Sequence, residues 1–191
     1  METQSALYRK IQSTYHFTDF EMQRMKYTVS VFHCEFSKLL ILGIAFYIFG
    51  YFPEYIVLML TLIPIRRYSG GIHFNHYSSC FLFTAFFFIM PVVLNSIVLP
   101  YVGQLVILAL SAGVTYLAGP VTSTKRPPMK YKKYREAQLV STAIVVIWFF
   151  IFAFVRVFPY ENLCFWVITL QTIQLICAKI ARKGDIYEKA E

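Results

Sequence analysis

Six apolar blocks with almost no charge constrain the fold of this 191-residue chain most strongly. They lie at about residues 39–53, 55–65, 81–99, 101–119, 139–158 and 162–178. The hydrocarbon core of a bilayer is about 30 Å thick, and a helix of roughly 20 apolar residues crosses it. Closed barrels also span membranes, but their strands alternate polar and apolar residues, which these blocks do not. The pattern therefore predicts an all-α, polytopic integral membrane helical bundle of about six transmembrane helices.

The first two blocks are short for complete spans. The first can extend towards the N-terminus through residues 27–37, and the second can continue past Pro64 or cross the bilayer only in part. Residues 1–27 read as an interfacial amphipathic segment that has no apolar core of a cleavable signal peptide. Within it, Thr18-Asp19-Phe20-Glu21 fits a capping box, which predicts a helix start. We expect one integral membrane domain over residues 1–191.

The positive charges predict the orientation of the bundle. If the N-terminus is inside and six spans alternate, the inner segments are 1–38, 66–80, 120–137 and 179–191. Of the 18 Lys and Arg residues, only Arg156 then falls outside. Because inner loops of membrane proteins are enriched in Lys and Arg, this predicts a multi-pass cell-membrane protein with cytoplasmic N- and C-termini. Basic loops on one side of the membrane thereby explain the net charge of +8. Membrane lipids are expected partners, and no nucleic acid is expected.

His73 and Cys80 lie between the second and third blocks and could form a nucleophile and its base. On one continuous helix, seven residues would separate them by about 10 Å. The pair therefore needs a bend, which Gly70-Gly71 permits. The same residues also fit a structural interpretation, with the Cys at the start of a buried helix and the His on a loop.

The nearby residues also offer a candidate metal site and candidate partners for the His. His73, His76 and Cys80 could supply three zinc ligands, but no fourth ligand is evident and no metal is expected. A third catalytic residue is not evident, and the candidates for orienting the His are Asn75, Ser78, Ser79, Glu35, Gln171 and Gln174. The scattered cysteines predict buried thiols and no disulfide framework. A structural role is expected for His16, His33, Cys34, Cys164 and Cys177.

A longer pattern around this pair resembles that of the AgrB family, which are membrane cysteine endopeptidases that process bacterial quorum-sensing propeptides. Its R-R/K…G-G/A-x-H…S…C pattern is matched by Arg66, Arg67, Gly70, Gly71, His73, Ser78 and Cys80. Residues 119–127 and 27–40 are similar to further parts of the family more loosely. The resemblance implies that Cys80 is the nucleophile and His73 its base. Supporting roles are implied for the other five residues, and no cofactor is implied.

The resemblance also implies a substrate, a short amphipathic signal propeptide whose C-terminal tail is removed through a thioester on Cys80. The remainder would cyclise to a thiolactone or lactone. The 120–137 loop could capture an acidic tail or anchor to anionic lipid, through Lys125, Arg126, Lys130, Lys132, Lys133 and Arg135. A non-enzymatic transporter or adaptor for a small peptide is the alternative, and it would not depend on Cys80. A homodimer is left open.

Overall fold

A computed structural model describes residues 8, 11, 12, 14, 16–71, 76–121, 129–155, 159–181, 187 and 188. Six α-helices dominate this part of the chain: α1 (Asp19–Ile48), α2 (Phe52–Ser69), α3 (Tyr77–Leu94), α4 (Tyr101–Ala118), α5 (Tyr131–Phe154) and α6 (Glu161–Ala181). Two two-residue strands, β1 (Met129–Lys130) and β2 (Tyr187–Glu188), pair in parallel. The expected helical bundle is confirmed.

The start of α1 is the capping box that the sequence predicts. The Thr18 backbone N–H donates to Glu21 Oε2 at 3.0 Å, and the Glu21 N–H donates to Thr18 Oγ1 at 3.3 Å. These bonds satisfy N–H groups that the helix start leaves unpaired. From there α1 continues to Ile48, so residues 19–27 are the first turns of the first span's helix. The interfacial position of residues 1–27 stays a prediction.

The chain forms two compact units, residues 1–45 and 46–191. In the first unit, Lys38 is buried and forms an ion pair with Glu35 on the preceding turn of α1. Such pairing lowers the cost of ionisable groups near a membrane. The expectation of a single domain over residues 1–191 stays a prediction.

In the second unit, α6 is the most buried helix and packs against α2, α3 and α4. A core of apolar side chains joins it to α2, α4 and α5. This core consists of Ile65, Leu108, Val145, Phe152, Cys164, Phe165 and Ile168. A smaller cluster lies towards the C-terminal end of α6 and consists of Ala118, Val121, Leu175 and Ala178. The helix therefore supplies the central surface on which the unit is assembled.

Five helices of the described chain are long and apolar enough to cross a membrane, namely α1 from Glu21, α3, α4, α5 and α6. The remaining helix, α2, has 18 residues and continues past Pro64, which gives it a length of about 27 Å. Its Glu54, Arg66 and Arg67 lie in its first and last turns. Large apolar side chains such as Leu60 and Leu82 are exposed on the bundle, as expected for a surface that faces lipid. That α2 is the sixth span stays a prediction.

Several helix boundaries differ from those of the apolar blocks, and two of them change the extent of the loops. α5 begins at Tyr131, although the apolar block begins at residue 139, so residues 131–137 are helical and are not a loop. α3 ends at Leu94, although its block runs to residue 99. Hydropathy marks the residues that favour lipid, whereas a helix can continue into polar residues such as Lys and Arg, which are good helix formers.

Candidate functional site

Gly70 ends α2 in a conformation that favours glycine. Its φ is 74°, and its N–H donates to the Arg66 carbonyl at 2.9 Å. Other residues adopt this left-handed conformation at a cost. A Cβ at this position would also overlap the carbonyl oxygen of Val121. Both the backbone conformation and the available space therefore require glycine.

The chain after α2 pairs with the chain after α4. The Gly71 N–H donates to the Val121 carbonyl at 3.2 Å, and the Val121 N–H donates to the Ser69 carbonyl at 2.9 Å. We call Ser69, Gly70, Gly71 and Val121 the helix-end junction. It brings together two separate parts of the sequence, residues 66–71 and 119–121.

Two glutamines of α6 lie against this junction. Gln171 Nε2 donates to Ser69 Oγ and to the Gly70 carbonyl, both at 3.2 Å. Gln174 Nε2 lies 2.7 Å from the place where a Cβ on Gly71 would stand. Both side chains are 2% exposed. Among the described residues, neither polar atom of the Gln174 amide has a hydrogen-bond partner, and Gln171 Oε1 also has none.

The two arginines at the end of α2 differ in their surroundings. Arg66 is half-buried, and its Nε lies 4.0 Å from the Cβ position of Gly71. Arg67 is exposed. The structure therefore places Arg66, and not Arg67, beside the helix-end junction.

Cys80 lies in the first turn of α3 and is 9% exposed. Its N–H donates to the His76 carbonyl at 3.1 Å, and its carbonyl accepts from Thr84 Oγ1 at 2.9 Å. α3 begins at Tyr77, so His73 precedes this helix in the sequence. The separation expected for His73 and Cys80 on one continuous helix therefore does not apply. His73 and Asn75 lie outside the described residues. Ser78 and Ser79 are exposed in the same turn as Cys80.

The described part of the chain contains no group of three His, Cys, Asp or Glu side chains that could hold a metal ion. The zinc alternative includes His73 and is therefore not tested. None of the four cysteines, all of which are described, is in a disulfide. Cys164 is buried, whereas Cys34 is half-buried and Cys177 is exposed on α6. The expectation of buried thiols is thus wrong for Cys177, because it lies on the exposed face of α6 together with Ile173 and Ile180.

The basic residues lie partly on α5. Lys132 and Lys133 are exposed in its first turn, and Arg135 Nη1 donates to Gln138 Oε1 at 3.1 Å. Lys125 and Arg126 lie outside the described residues, and only the backbone of Lys130 is described. The Tyr134 hydroxyl lies where a Cβ on Gly119 would stand. The start of α5 is therefore at the same end of the bundle as the helix-end junction.

Ser69 and Val121 are two junction residues that the sequence did not indicate as candidates. The only local signal was that two helices, α2 and α4, are each followed by a glycine, Gly70 and Gly119. That signal predicts helix ends, but it does not predict that the two ends meet.

The sequence profile of the family described as Accessory gene regulator B, AgrB, matches residues 5–175. An AgrB-like protein of Clostridium beijerinckii is 25% identical over 170 residues, which cover 87% of this chain and 82% of that protein. No solved structure matches the chain significantly. The matched range contains α1 to α5, most of α6 and the residues of the helix-end junction.

Proposed function

Because the chain belongs to the AgrB family, we propose that it is a membrane-embedded cysteine endopeptidase that removes the C-terminal tail of a quorum-sensing signal propeptide. Membership of this family links the chain to the processing of accessory gene regulator peptides. The use of a catalytic cysteine in this processing is our proposal. The observation that carries it is the position of Cys80, which is nearly buried in the first turn of an apolar helix and lies seven residues after His73.

In the proposed reaction, Cys80 Sγ attacks the carbonyl carbon of the scissile peptide bond. His73 accepts the thiol proton and then donates a proton to the leaving amine. The C-terminal tail departs as the free amine, and the remainder stays on Cys80 as a thioester. No cofactor is required for this step.

The second step closes the ring. The thiol of an internal Cys of the peptide, or the hydroxyl of a Ser, attacks the thioester carbonyl, and the Cys80 thiolate leaves and is protonated again. The product is a thiolactone or a lactone. Exchange between two thioesters is close to thermoneutral, so the outcome depends on the exclusion of competing water. A nearly buried thiol favours cyclisation over hydrolysis for this reason.

The helix that carries Cys80 supports the proposed role of its thiol. The N-terminal end of a helix bears a partial positive charge, which stabilises an anion within the first turn. Cys80 is the fourth residue of α3. A thiolate formed during the reaction would therefore be favoured at this position more than in the middle of a span.

Replacement of Cys80 tests the proposal. We expect Cys80→Ala to abolish cleavage of a co-expressed propeptide, measured by the loss of its tagged tail, while the protein still inserts into the membrane. Cys34→Ala, Cys164→Ala and Cys177→Ala are matched controls that should retain cleavage. We expect His73→Ala to be as defective as Cys80→Ala, and the double variant to be no worse, because the two residues act as one unit.

Complete processing by Cys80→Ala would favour the non-enzymatic transporter or adaptor. The metal alternative has its own signature, which is loss of activity with a chelator and an equal defect in His76→Ala. A short reading frame beside this gene that encoded an amphipathic head, a central Cys and an acidic tail would supply the propeptide for these assays.

A further inference from the structure

We propose that the C-terminal segment of this chain competes with the acidic tail of the propeptide, and that each binds as an added strand along β1. The inference rests on the proposed function, because it assigns a docking place to the part of the propeptide that is removed. In the structure this place is occupied by β2, which pairs in parallel with β1. The docking strand directly precedes α5.

The first argument is that β1 holds its partner through the main chain. Met129 pairs with Tyr187, and Lys130 pairs with Glu188. Main-chain pairing of this kind accepts any extended segment, which is how added strands are recognised at the edge of a sheet. Each of the two strands is only two residues long. Because so short a pair is marginally stable in water, another extended segment can replace β2 at little cost.

The second argument is the complementary charge of the two paired segments. Residues 129–135 contain four cations and no acid, whereas residues 185–191 contain three acids and one cation. The pairing register sets Glu188 beside Lys130. Lys132 and Lys133 follow in the first turn of α5, where both are exposed. An acidic segment that extends along β1 therefore lies next to a basic turn, and opposite charges favour this pairing.

The third argument is the position of β1 in the bundle. α5 follows β1 directly, and the Tyr134 hydroxyl lies where a Cβ on Gly119 would stand. Gly119 ends α4, and Val121 of the helix-end junction follows two residues later. A segment on β1 is therefore held at the same end of the bundle as the helix-end junction.

The attachment of β2 to the bundle makes it an effective competitor. Only residues 182–186 separate the end of α6 from β2. A segment on so short a connection pairs with β1 at a high effective concentration. The propeptide tail then binds only the fraction of protein in which β2 has left β1, so the apparent KM is raised by that fraction. The C-terminal segment thereby sets the propeptide concentration at which processing begins.

Proline substitutions in β2 test the competition through kinetics. In Tyr187→Pro, Glu188→Pro protein both main-chain donors of β2 are lost. We expect KM for the propeptide to fall about threefold to tenfold with kcat unchanged, because the competitor is removed and the reacting groups are not. Tyr187→Thr, Glu188→Asp protein is the matched control. It keeps both N–H groups and the charge, and its KM should stay within about twofold of the unmodified value.

A synthetic peptide with the sequence of residues 182–191 is a second probe. Added to the proline variant, it should inhibit cleavage competitively and raise KM towards that of the unmodified protein. The same peptide with proline at the positions of Tyr187 and Glu188 should not inhibit. The unmodified protein should respond less to the added peptide, because its own β2 already occupies β1.

A cross-link reports displacement of β2 without the chemical step. Met129→Cys and Tyr187→Cys put thiols on paired strands about 5 Å apart, a separation that a disulfide spans. We expect this pair to cross-link on oxidation in protein whose four native cysteines are replaced by Ala. Saturating propeptide should slow the cross-link at least about threefold. A propeptide whose acidic tail residues are changed to their amides is the control and should slow it much less.

Three results would overturn the inference: no cross-link without propeptide, a cross-link that propeptide does not slow, or a proline variant with an unchanged or raised KM. The cross-link variant carries no proline, so it decides the question even where the proline variant does not accumulate. Each of these results leaves cleavage and its dependence on Cys80 intact. Failure of the proposed function would differ, since Cys80→Ala protein would then process the propeptide fully while the propeptide still slowed the cross-link.

Discussion

At the residue scale, Arg66 and Arg67 occupy adjacent positions with different surroundings. Arg66 is half-buried beside Gly71, and Arg67 is exposed at the same helix end. A cation at the inner end of a span is ordinarily an orientation signal. The exposed residue fits that role. The half-buried residue fits capture of a substrate carboxylate near the helix-end junction. A planar guanidinium can bind both oxygens of a carboxylate.

We therefore expect Arg66→Gln to reduce kcat/KM for propeptide cleavage on the order of tenfold or more, since a charge-assisted contact is lost. Arg67→Gln removes the same charge one residue later and should change kcat/KM by less than about twofold, as exposed substitutions usually do. Both variants should reach the membrane in equal amounts, measured by immunoblot of the membrane fraction. Equal defects in the two variants would show that charge at this end matters and position does not.

At the element scale, α5 begins with a helical turn that is basic and exposed. Lys132 and Lys133 lie on it, and Tyr134 packs at Gly119, so these cations stand at the same end of the bundle as the proposed site. Being helical, they are held at defined positions, whereas a loop would leave their spacing variable. This arrangement suits recognition of an acidic peptide tail, although an anionic lipid surface would attract the same residues.

If the basic turn captures the tail, Lys132→Gln, Lys133→Gln protein should raise KM about three- to tenfold with little change in kcat, because exposed ion pairs contribute modestly and equally in ground and transition states. Raised salt should reduce the difference between this variant and the unmodified enzyme. Lys26→Gln, which removes an exposed cation from α1, is the control. A defect that appears only in vesicles with anionic lipid would assign the turn to membrane anchoring instead.

At the scale of the whole molecule, the orientation of the bundle depends on whether α2 crosses the bilayer. Six crossings put the start of α5 and both termini on the cytoplasmic side, as the distribution of Lys and Arg predicts. If α2 does not cross, the order of the remaining five spans places Lys132 on the opposite side from the N-terminus. The position of the proposed site relative to the cytoplasm depends on this helix.

We expect a single cysteine at Lys132, in a background without the native cysteines, to react with an impermeant maleimide in inverted vesicles and not in intact cells. A single cysteine at Tyr51, which is exposed between α1 and α2, should show the reverse. These two positions bracket α2 and serve as controls for each other. Labelling of both from outside intact cells would show that α2 does not span the membrane.

The sequence by itself determined the helices, because the properties that specify them are local. Each apolar block favours lipid whatever its neighbours are. The capping box of Thr18 and Glu21 acts between residues three apart, and it was predicted and found. Family membership likewise follows from the order of residues along the chain. The resemblance in residues 66–80 points to it without any structural information.

Only the tertiary structure decided which helix ends meet. The bond from Gln171 to Ser69 joins residues 102 positions apart, and the pairing of Gly70 with Val121 joins the ends of two different helices. In lipid, apolar side chains are equally satisfied by neighbouring helices and by acyl chains, so hydropathy carries no information on helix partners. The choice is made by small residues that allow close approach and by polar groups that need partners. For that reason the positions of Arg66 and Gln174 relative to Gly71 emerged only from the folded bundle.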